Sequence, residues 1–511
     1  MSTIKNAGSV LNMEYVSSPQ YSDSLKAFLQ RRHGLYIGGQ WCEAEGTERI
    51  AVIDPATGKA ISSIAAGNGQ DIDRAVNAAR SAFKQGAWAD MTPLERSKLL
   101  FRFAAVLEDN ADELAEMEAV DAGKPVVYAR HADMALSCNI YHYMAGWATK
   151  LNGEAIKLAG SAGGHAYSLR EPVGVAGLIV PWNFPMVLLA YKLAPALAAG
   201  CTVVIKPAEN TSLTTLRLAE LAELAGIPAG VINVVTGFGA EAGGALVRHP
   251  DVDKVAFTGS TDVGRQIAIM AAQSNLKRVT LELGGKSPVL VMPDADVEKT
   301  VAGVMRGIFF NQGQVCTAGS RLYLPRSLHD TVVAELSAAI DNLVCGHGLD
   351  TAVTMGPLIS QVQKERVLGY ISAAESAGAT IIQGKVPSGT DGFFVPATLI
   401  VNATSSMSCV TEEIFGPVLS IILYEDEEIE KLVSDANDTV FGLAASIWTQ
   451  NFERAHKLAA RVEAGTVWIN THNYFDPTLP FGGMKQSGWG REGGFEAIRM
   501  FTEIKAVCSG Y

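Results

Sequence analysis

No four consecutive residues of this 511-residue chain are all Lys or Arg, and acidic residues outnumber basic ones 53 to 41, for a net charge of −12. The electrostatic footprint of a nucleic-acid binder is therefore missing. Cysteine is scarce: seven residues, an odd number with no CxxC pair, argue against a disulfide framework and fit reduced thiols in a cytosol, so a cytoplasmic location is expected. The nine histidines form no HExxH, and no Cys/His spacing suggests zinc, so no metal is expected. The first twenty residues lack the continuous apolar core of a signal peptide and read as a polar arm. Long hydrophobic runs are also few. Residues 173–191 are uncharged, but Pro181, Asn183 and Pro185 near their middle remove or redirect backbone donors that lipid could not replace, so no membrane span is expected. With 48% hydrophobic and only 18% charged residues the chain is too apolar for disorder, and its length suggests two or three domains.

What is present is alternation. VAGLIV (175–180), TVVIK (202–206), VINVV (231–235), KVAFTG (254–259) and RVTLEL (278–283) are short β-rich runs separated by helical stretches such as LTTLRLAELAELAG. That pattern predicts a doubly wound α/β layout, in which ligands bind beyond the carboxyl ends of the strands. A second alternation starts near Pro288 with SPVLVM, a helix over about 297–309 and SRLYLP, and reads as a second α/β domain. Residues 90–150 look mainly helical, with Thr92 as an N-cap. Residues 151–172 read as a thin hairpin arm of the kind that pairs with another chain. The expected division is 1–150 with 171–284 as a nucleotide-binding domain, 285–486 as a catalytic domain, and 151–170 with 487–511 as an arm and C-terminal segment.

Five segments follow predicted elements and carry polar groups toward that crevice, and each also has a purely structural reading. In NQGQVCTAGSR, Cys316 sits among small and amide-bearing residues, the openness that thiolate chemistry needs, although a loop cysteine is often inert. In LELGGKSP, Glu282 ends an apolar strand, where it is either a water-activating base or a salt-bridged acid. In VPWNFP two prolines hold Asn183, whose amide can serve an oxyanion or cap a turn. In FTGSTDVG, Gly259, Ser260 and Gly264 open a helix whose N–H groups can meet a pyrophosphate, or simply cap it. In IKPAEN, Lys206 and Glu209 face the crevice or form a surface pair; a carboxylate there accepts from ribose hydroxyls and repels a ribose phosphate. Neither a Walker A motif nor GxGxxG is present after these strands.

Together with EEIFGPV (412–418) and PFGGMKQSG (480–488), these segments resemble, in order and spacing, the NAD(P)-dependent aldehyde dehydrogenase superfamily from about residue 34 onward. The resemblance implies an α/β aldehyde-dehydrogenase-like fold with a Rossmann-type cofactor domain, a second α/β catalytic domain and a small β oligomerisation arm, assembling as a homodimer or homotetramer. It implies Cys316 as nucleophile, Glu282 as general base, Asn183 as oxyanion donor, Lys192 as a buried partner and Glu492 as a proton-relaying acid. NAD is the implied cofactor, contacted by Ile179, Val180, Pro181, Trp182, Lys206, Glu209, Gly239, Phe257, Gly259, Ser260, Gly264, Leu283, Glu413 and Phe415. Some lowering of the Cys316 thiol pKa is expected from hydrogen-bond donors and cofactor charge.

The small-molecule aldehyde is expected in a funnel of Phe184, Tyr191, Val315, Thr317, Phe475 and Phe481. That set is largely aromatic and uncharged, and favours an arylalkyl aldehyde. RRHGLYIGGQW and the stretch around INTHNYFDPTLP resemble the bacterial phenylacetaldehyde dehydrogenases in particular. An aminoaldehyde is the rival, since aromatic boxes also hold ammonium groups and Asp476 is nearby; an aliphatic aldehyde is another. A coenzyme-A-acylating relative and a non-catalytic structural protein are the remaining alternatives, and retention of Glu282 with Cys316 and Asn183 argues against both.

Overall fold

The computed structural model describes residues 21–160 and 163–510. The expected polar arm over 1–20 lies outside the described residues. Two sheets organise the chain, one of eight strands and one of seven. In the first, Val175–Ile179 lies at the centre, with Thr202–Lys206 and Ile232–Val234 on one side and Lys254–Thr258 and Arg278–Glu282 on the other, all parallel. Because helices cover both faces, the three central strands are buried along their whole length, which is why they read as short, mainly apolar runs and not as alternating ones.

The edges of that sheet were not legible as strands. Leu35–Ile37 and Gln40–Cys42 add an antiparallel hairpin at one edge, and Gly488–Trp489 pairs antiparallel with Arg278–Glu282 at the other. Of the segment grouped above as arm and C-terminal segment, the described residues 487–510 therefore distribute over three places. Gly488–Trp489 joins the first sheet, the helix Gly494–Arg499 buries Ala497 and Ile498 in the same core, and only Thr502–Gly510 belongs to the arm. That last strand runs antiparallel to Gly164–Pro172, which in turn pairs with Ala155–Ile156.

Local signals explain the helices. Thr92 caps Pro93–Asp109 in a reciprocal capping box with Glu95, as its spacing suggests. The uncharged 173–191 run divides into a strand and the helix Pro185–Ala199, begun by Pro185 and closed by Gly200 at φ +101. Every residue of that helix is buried, so its hydrophobicity serves the core. Among the described residues no helix is long and apolar enough to cross a membrane.

The second sheet carries Pro288–Val291, Arg321–Pro325, Val418–Tyr424 and Ala444–Trp448 near its centre and has its own buried cluster. Its helix Val297–Phe309 leads into a tight turn in which Asn311 and Gln312 take φ of +47 and +56, followed by Gly313 at +69. Three consecutive left-handed residues reverse the chain just before Cys316.

Candidate active site

The carboxyl ends of the first sheet face the Cys316 loop of the second, and two cavities lie between them. One, of about 250 Å³, is walled by Pro181, Trp182, Asn183, Thr258, Gly259, Ser260, Leu283 and Gly284 from the first unit and by Gln363, Arg366, Glu413 and Phe415 from the second. The other, of about 400 Å³, is walled mainly by rings and aliphatic side chains, among them Phe184, Leu188, Tyr191, Phe310, Val315, Phe475 and Phe481. Cys316 is the one residue that lines both.

Around the thiol stand three acids. Glu282 ends its strand fully inside the protein, and neither carboxylate oxygen has a hydrogen-bond partner. Burial, and then the charge of Glu492, push its pKa well above the usual carboxylate range, against the pull of Lys192 and Arg491. Glu413 is pushed up to about 7 by burial, opposed first by the Gly285 N–H, which donates to its Oε1 at 2.9 Å. Glu492 accepts from the ammonium of buried Lys192, which also donates to Thr258 Oγ1 at 2.6 Å. Burial and then Glu413, Glu282 and Glu492 raise the Cys316 thiol pKa.

A model of the aldehyde dehydrogenase family matches residues 41–507. The chain belongs to the aldehyde dehydrogenase family. It is 45% identical over 489 residues to the phenylacetaldehyde dehydrogenase of Pseudomonas fluorescens, an alignment covering 94% of this chain and 97% of that one. The NAD+ complex of an aldehyde dehydrogenase from Bacillus cereus superposes with a TM-score of 0.93 at 44% identity, covering 96% and 99% of the two chains. The AldA indole-3-acetaldehyde dehydrogenase of P. syringae, in complex with NAD+ and IAA, gives 0.92 at 40% identity, with 96% and 99% covered.

In this family member two expectations about the nucleophile loop need correction. It is not an open polar loop, because Asn311, Gln312 and Gln314 are buried and their amides are engaged inward. Asn311 Nδ2 donates to Asn183 O at 3.0 Å, and Gln314 Oε1 accepts from the Ile359 N–H at 2.9 Å. Cys316 itself is only half-buried. Nor is its pKa lowered by the protein alone: desolvation and three acids outweigh the opposing pull of the Thr317 backbone N–H.

Asn183 is buried and lines the first cavity. One amide hydrogen goes to Gln314 O at 2.9 Å, which fixes the side chain and leaves its second N–H for a ligand. Among the expected cofactor contacts, Pro181, Trp182, Gly259, Ser260, Leu283, Glu413 and Phe415 line the first cavity. Trp182 and Phe415 meet edge to face at 5.3 Å. Lys206 and Glu209 pair at 2.9 Å at the end of the neighbouring strand, where Val180 N–H donates to Lys206 O at 3.2 Å, just beyond Ile179. Phe257 packs under Gly259, where a Cβ would come within 2.4 Å of the ring. Gly264 is not brought to the cavity: it lies one turn into the helix Thr261–Gln273, buried where a Cβ would meet Leu283 at 2.6 Å, so its work is close packing. Gly239 also stands away from the cavity wall, exposed at the start of a short helical turn with nothing within 4 Å of its Cβ position.

All six residues expected in the aldehyde funnel line the second cavity. Phe475 lies edge to face with Phe481 and with Trp468, both at 5.8 Å, and Phe184 stacks on Phe310 at 6.0 Å. The other interaction of Phe184 is a cation contact: the Lys124 ammonium, buried against Glu118 and Asp133, sits 4.3 Å from its ring centre. Asp476 also lines this cavity, but its carboxylate accepts from the Thr478 N–H at 2.8 Å and the Thr478 hydroxyl at 2.5 Å, which hold its pKa down.

Several wall residues escaped the sequence reading. Gln363 and Arg366, three apart on the helix Gln361–Ser376, donate to Phe415 O and Glu413 O, each at 2.8 Å, and so pin the loop on which Phe415 adopts φ +61. Their i,i+3 spacing was a visible signal, but a polar helix face looks the same whether it meets solvent or a loop. Phe310 and Tyr474 adjoin motif residues and needed only a wider window. Among the described residues no group of three or more His, Cys, Asp and Glu is arranged to hold a metal.

Proposed function

We propose that the chain oxidises an aldehyde to the carboxylic acid with NAD, through a covalent thioester on Cys316, and that its preferred substrates are arylalkyl aldehydes such as phenylacetaldehyde. The observation that carries this reading is the position of Cys316 as the residue shared by a cavity at the carboxyl ends of the parallel strands and an aromatic one.

The residues fit a nicotinamide dinucleotide. Gly259 and Ser260 present the amino end of a 13-residue helix to the first cavity, a ready site for a pyrophosphate. Glu209, steadied by Lys206, offers a carboxylate that suits two free ribose hydroxyls and repels a phosphate, hence NAD over NADP. Glu413 and Phe415 would border the nicotinamide end. When bound, the dinucleotide supplies an acceptor for one hydrogen and its electron pair.

The chain's own residues do the rest. The sulfur of Cys316, its proton passed to the Glu282 carboxylate, forms a bond to the aldehyde carbon, and the oxygen that takes up negative charge is met by the Asn183 amide and the Cys316 backbone N–H; one such donor is typically worth about 3 to 4 kcal/mol. After oxidation a thioester remains. Glu282, with no internal hydrogen bonds to satisfy it, is positioned to take a proton from water as the new C–O bond forms and the C–S bond breaks. The carboxylate of Glu492, which accepts from the Lys192 ammonium, can receive that proton in turn. The thiol leaves ready for another cycle.

Three features support the arylalkyl reading: the ring-lined second cavity, the engagement of Asp476 with Thr478, and the similarity to a phenylacetaldehyde dehydrogenase. The division of labour between a dinucleotide-binding first unit and a catalytic second unit belongs to the same proposal. So does a cytoplasmic homodimer or homotetramer formed through the three-stranded arm, whose Ile156, Leu169 and Ile504 are exposed. Steady-state rates with phenylacetaldehyde, hexanal and betaine aldehyde, with and without coenzyme A, test the function. Preference for phenylacetaldehyde and indifference to coenzyme A are expected; a tenfold or greater preference for the cationic aldehyde, or NADH formation that needs coenzyme A, would overturn it, roughly the selectivity an apolar pocket can deliver.

A further inference from the structure

His472 is fully buried and plays no part in the chemistry described so far. Its Nε2 lies 2.9 Å from the Thr317 backbone oxygen and its Nδ1 lies 2.9 Å from Ser446 Oγ. A carbonyl oxygen can only accept, so Nε2 carries the proton, and Nδ1 then accepts from the serine hydroxyl. Ser446 Oγ in turn accepts from Trp448 Nε1 at 3.2 Å, which completes the set with no donor or acceptor in conflict. The ring is seated tightly. A Cβ at Gly307 or Gly319 would come within 3.1 and 3.0 Å of it, and the Trp468 ring lies 4.8 Å away.

Thr317 follows Cys316 directly. Its backbone N–H draws the thiol toward ionisation, against burial and the acids that push the other way. Its hydroxyl donates to Asn473 Oδ1 at 2.8 Å, and Asn473 sits in the left-handed region at φ +55. Thr317, next to the nucleophile, is thus gripped at its carbonyl and its side chain by His472 and Asn473, two consecutive residues of one loop.

We propose that His472 is a positioning residue for the nucleophile: as a neutral, Nε2-protonated ring it clamps the Thr317 carbonyl, and so holds in place the backbone that adjoins Cys316. This rests on the reading of Cys316 as the nucleophile. Burial keeps the ring neutral by lowering its pKa to about 4, with Arg306 the charged group acting in the same direction, so the clamp itself does not titrate across neutral pH.

The test is the pH dependence of Cys316 alkylation by iodoacetamide, followed by peptide mass spectrometry on the full chain without substrate or dinucleotide. Glu413, Glu282 and Glu492 face the thiol and are unchanged in every variant. In His472→Phe, which keeps a ring but no donor, the profile should move up by about one pH unit, with kcat down about tenfold and KM within about twofold. His472→Gln, which restores an N–H donor, should recover most of both. Ser446→Ala, which frees the other ring nitrogen, should shift the profile in the same direction by less, and decides the matter with His472→Gln if His472→Phe does not fold. Unchanged profiles and kcat in the folded variants would overturn the clamp. Failure of wild-type Cys316 to alkylate at any pH would instead overturn the reading of Cys316 as nucleophile.

Discussion

On one side of Cys316 the wall is built around the motif residues at the carboxyl ends of parallel strands, Gly259 and Gly284 among them, closed by Glu413 and Phe415; on the other it is a set of rings carried by a helix and a loop. The first wall is constrained by atoms that cannot be exchanged. A Cβ at Gly259 would strike Phe257, and one at Gly284 would strike the Glu413 carboxylate. The second wall is constrained by volume and polarity, which many side-chain sets can meet. The difference teaches that the chemistry and its cofactor are written in short fixed motifs, whereas the choice of aldehyde is written in shape.

That contrast can be broken most directly at the shared residue. Cys316→Ala should reduce kcat by about 10⁴-fold or more, as loss of a covalent nucleophile typically does, while NAD affinity measured by fluorescence titration stays within about threefold. Residual turnover near the wild-type rate would dissolve the distinction between the two sides. Next in size is Glu282→Gln, which should slow thioester hydrolysis by about 10² to 10⁴-fold yet leave a single-turnover burst of NADH. A steady-state loss with no burst would place its larger role in the earlier proton transfer from the thiol.

The pH dependence sharpens the same point. A base must be ionised to accept a proton, and the Glu282 pKa lies well above the ordinary carboxylate value, so hydrolysis should rise with pH beyond the ordinary carboxylate range in the wild type and lose that rise in Glu282→Gln. For stability the sign is opposite. Folding raises the proton affinity of Glu413 from 4.5 to about 7, so its contribution is fully present below the lower value and lost as pH rises through the upper one. Thermal melts of wild type and Glu413→Gln should therefore converge at low pH and separate, with the variant higher, above neutrality.

Smaller effects separate the two walls. Phe475→Ala should raise KM for phenylacetaldehyde about tenfold with little change for a short aliphatic aldehyde, and leave NAD binding untouched. Glu209→Ser should narrow the preference for NAD over NADP by about tenfold and leave aldehyde KM unaltered. Cross-talk in either variant would mean that the two cavities are not independently specified.

How much could be read from sequence follows the same division. Four of the five parallel strands were legible because burial along their whole length favours apolar runs, and Arg278–Glu282, exposed at its start, because of its Val and Leu; Glu282, Lys206 and Asn183 were legible because each ends or follows such a run. The edge strands were not, since Gly488–Trp489 is too short to show a period and Leu35–Ile37 pairs with residues nearly two hundred positions away. Gly264 read as a ligand contact because a glycine near a helix start looks alike whether it meets phosphate or Leu283. The raised pKa of the Cys316 thiol was invisible because it depends first on burial and then on Glu413, Glu282 and Glu492, all of which reach the thiol only through the tertiary fold.

The most direct measurement is acid-quench mass spectrometry of Glu282→Gln turning over phenylacetaldehyde with NAD. A phenylacetyl group on the Cys316 peptide, accumulating toward one per chain as hydrolysis stalls, is the result expected. The same mass on any other peptide, or no adduct while NADH is formed, would contradict the account.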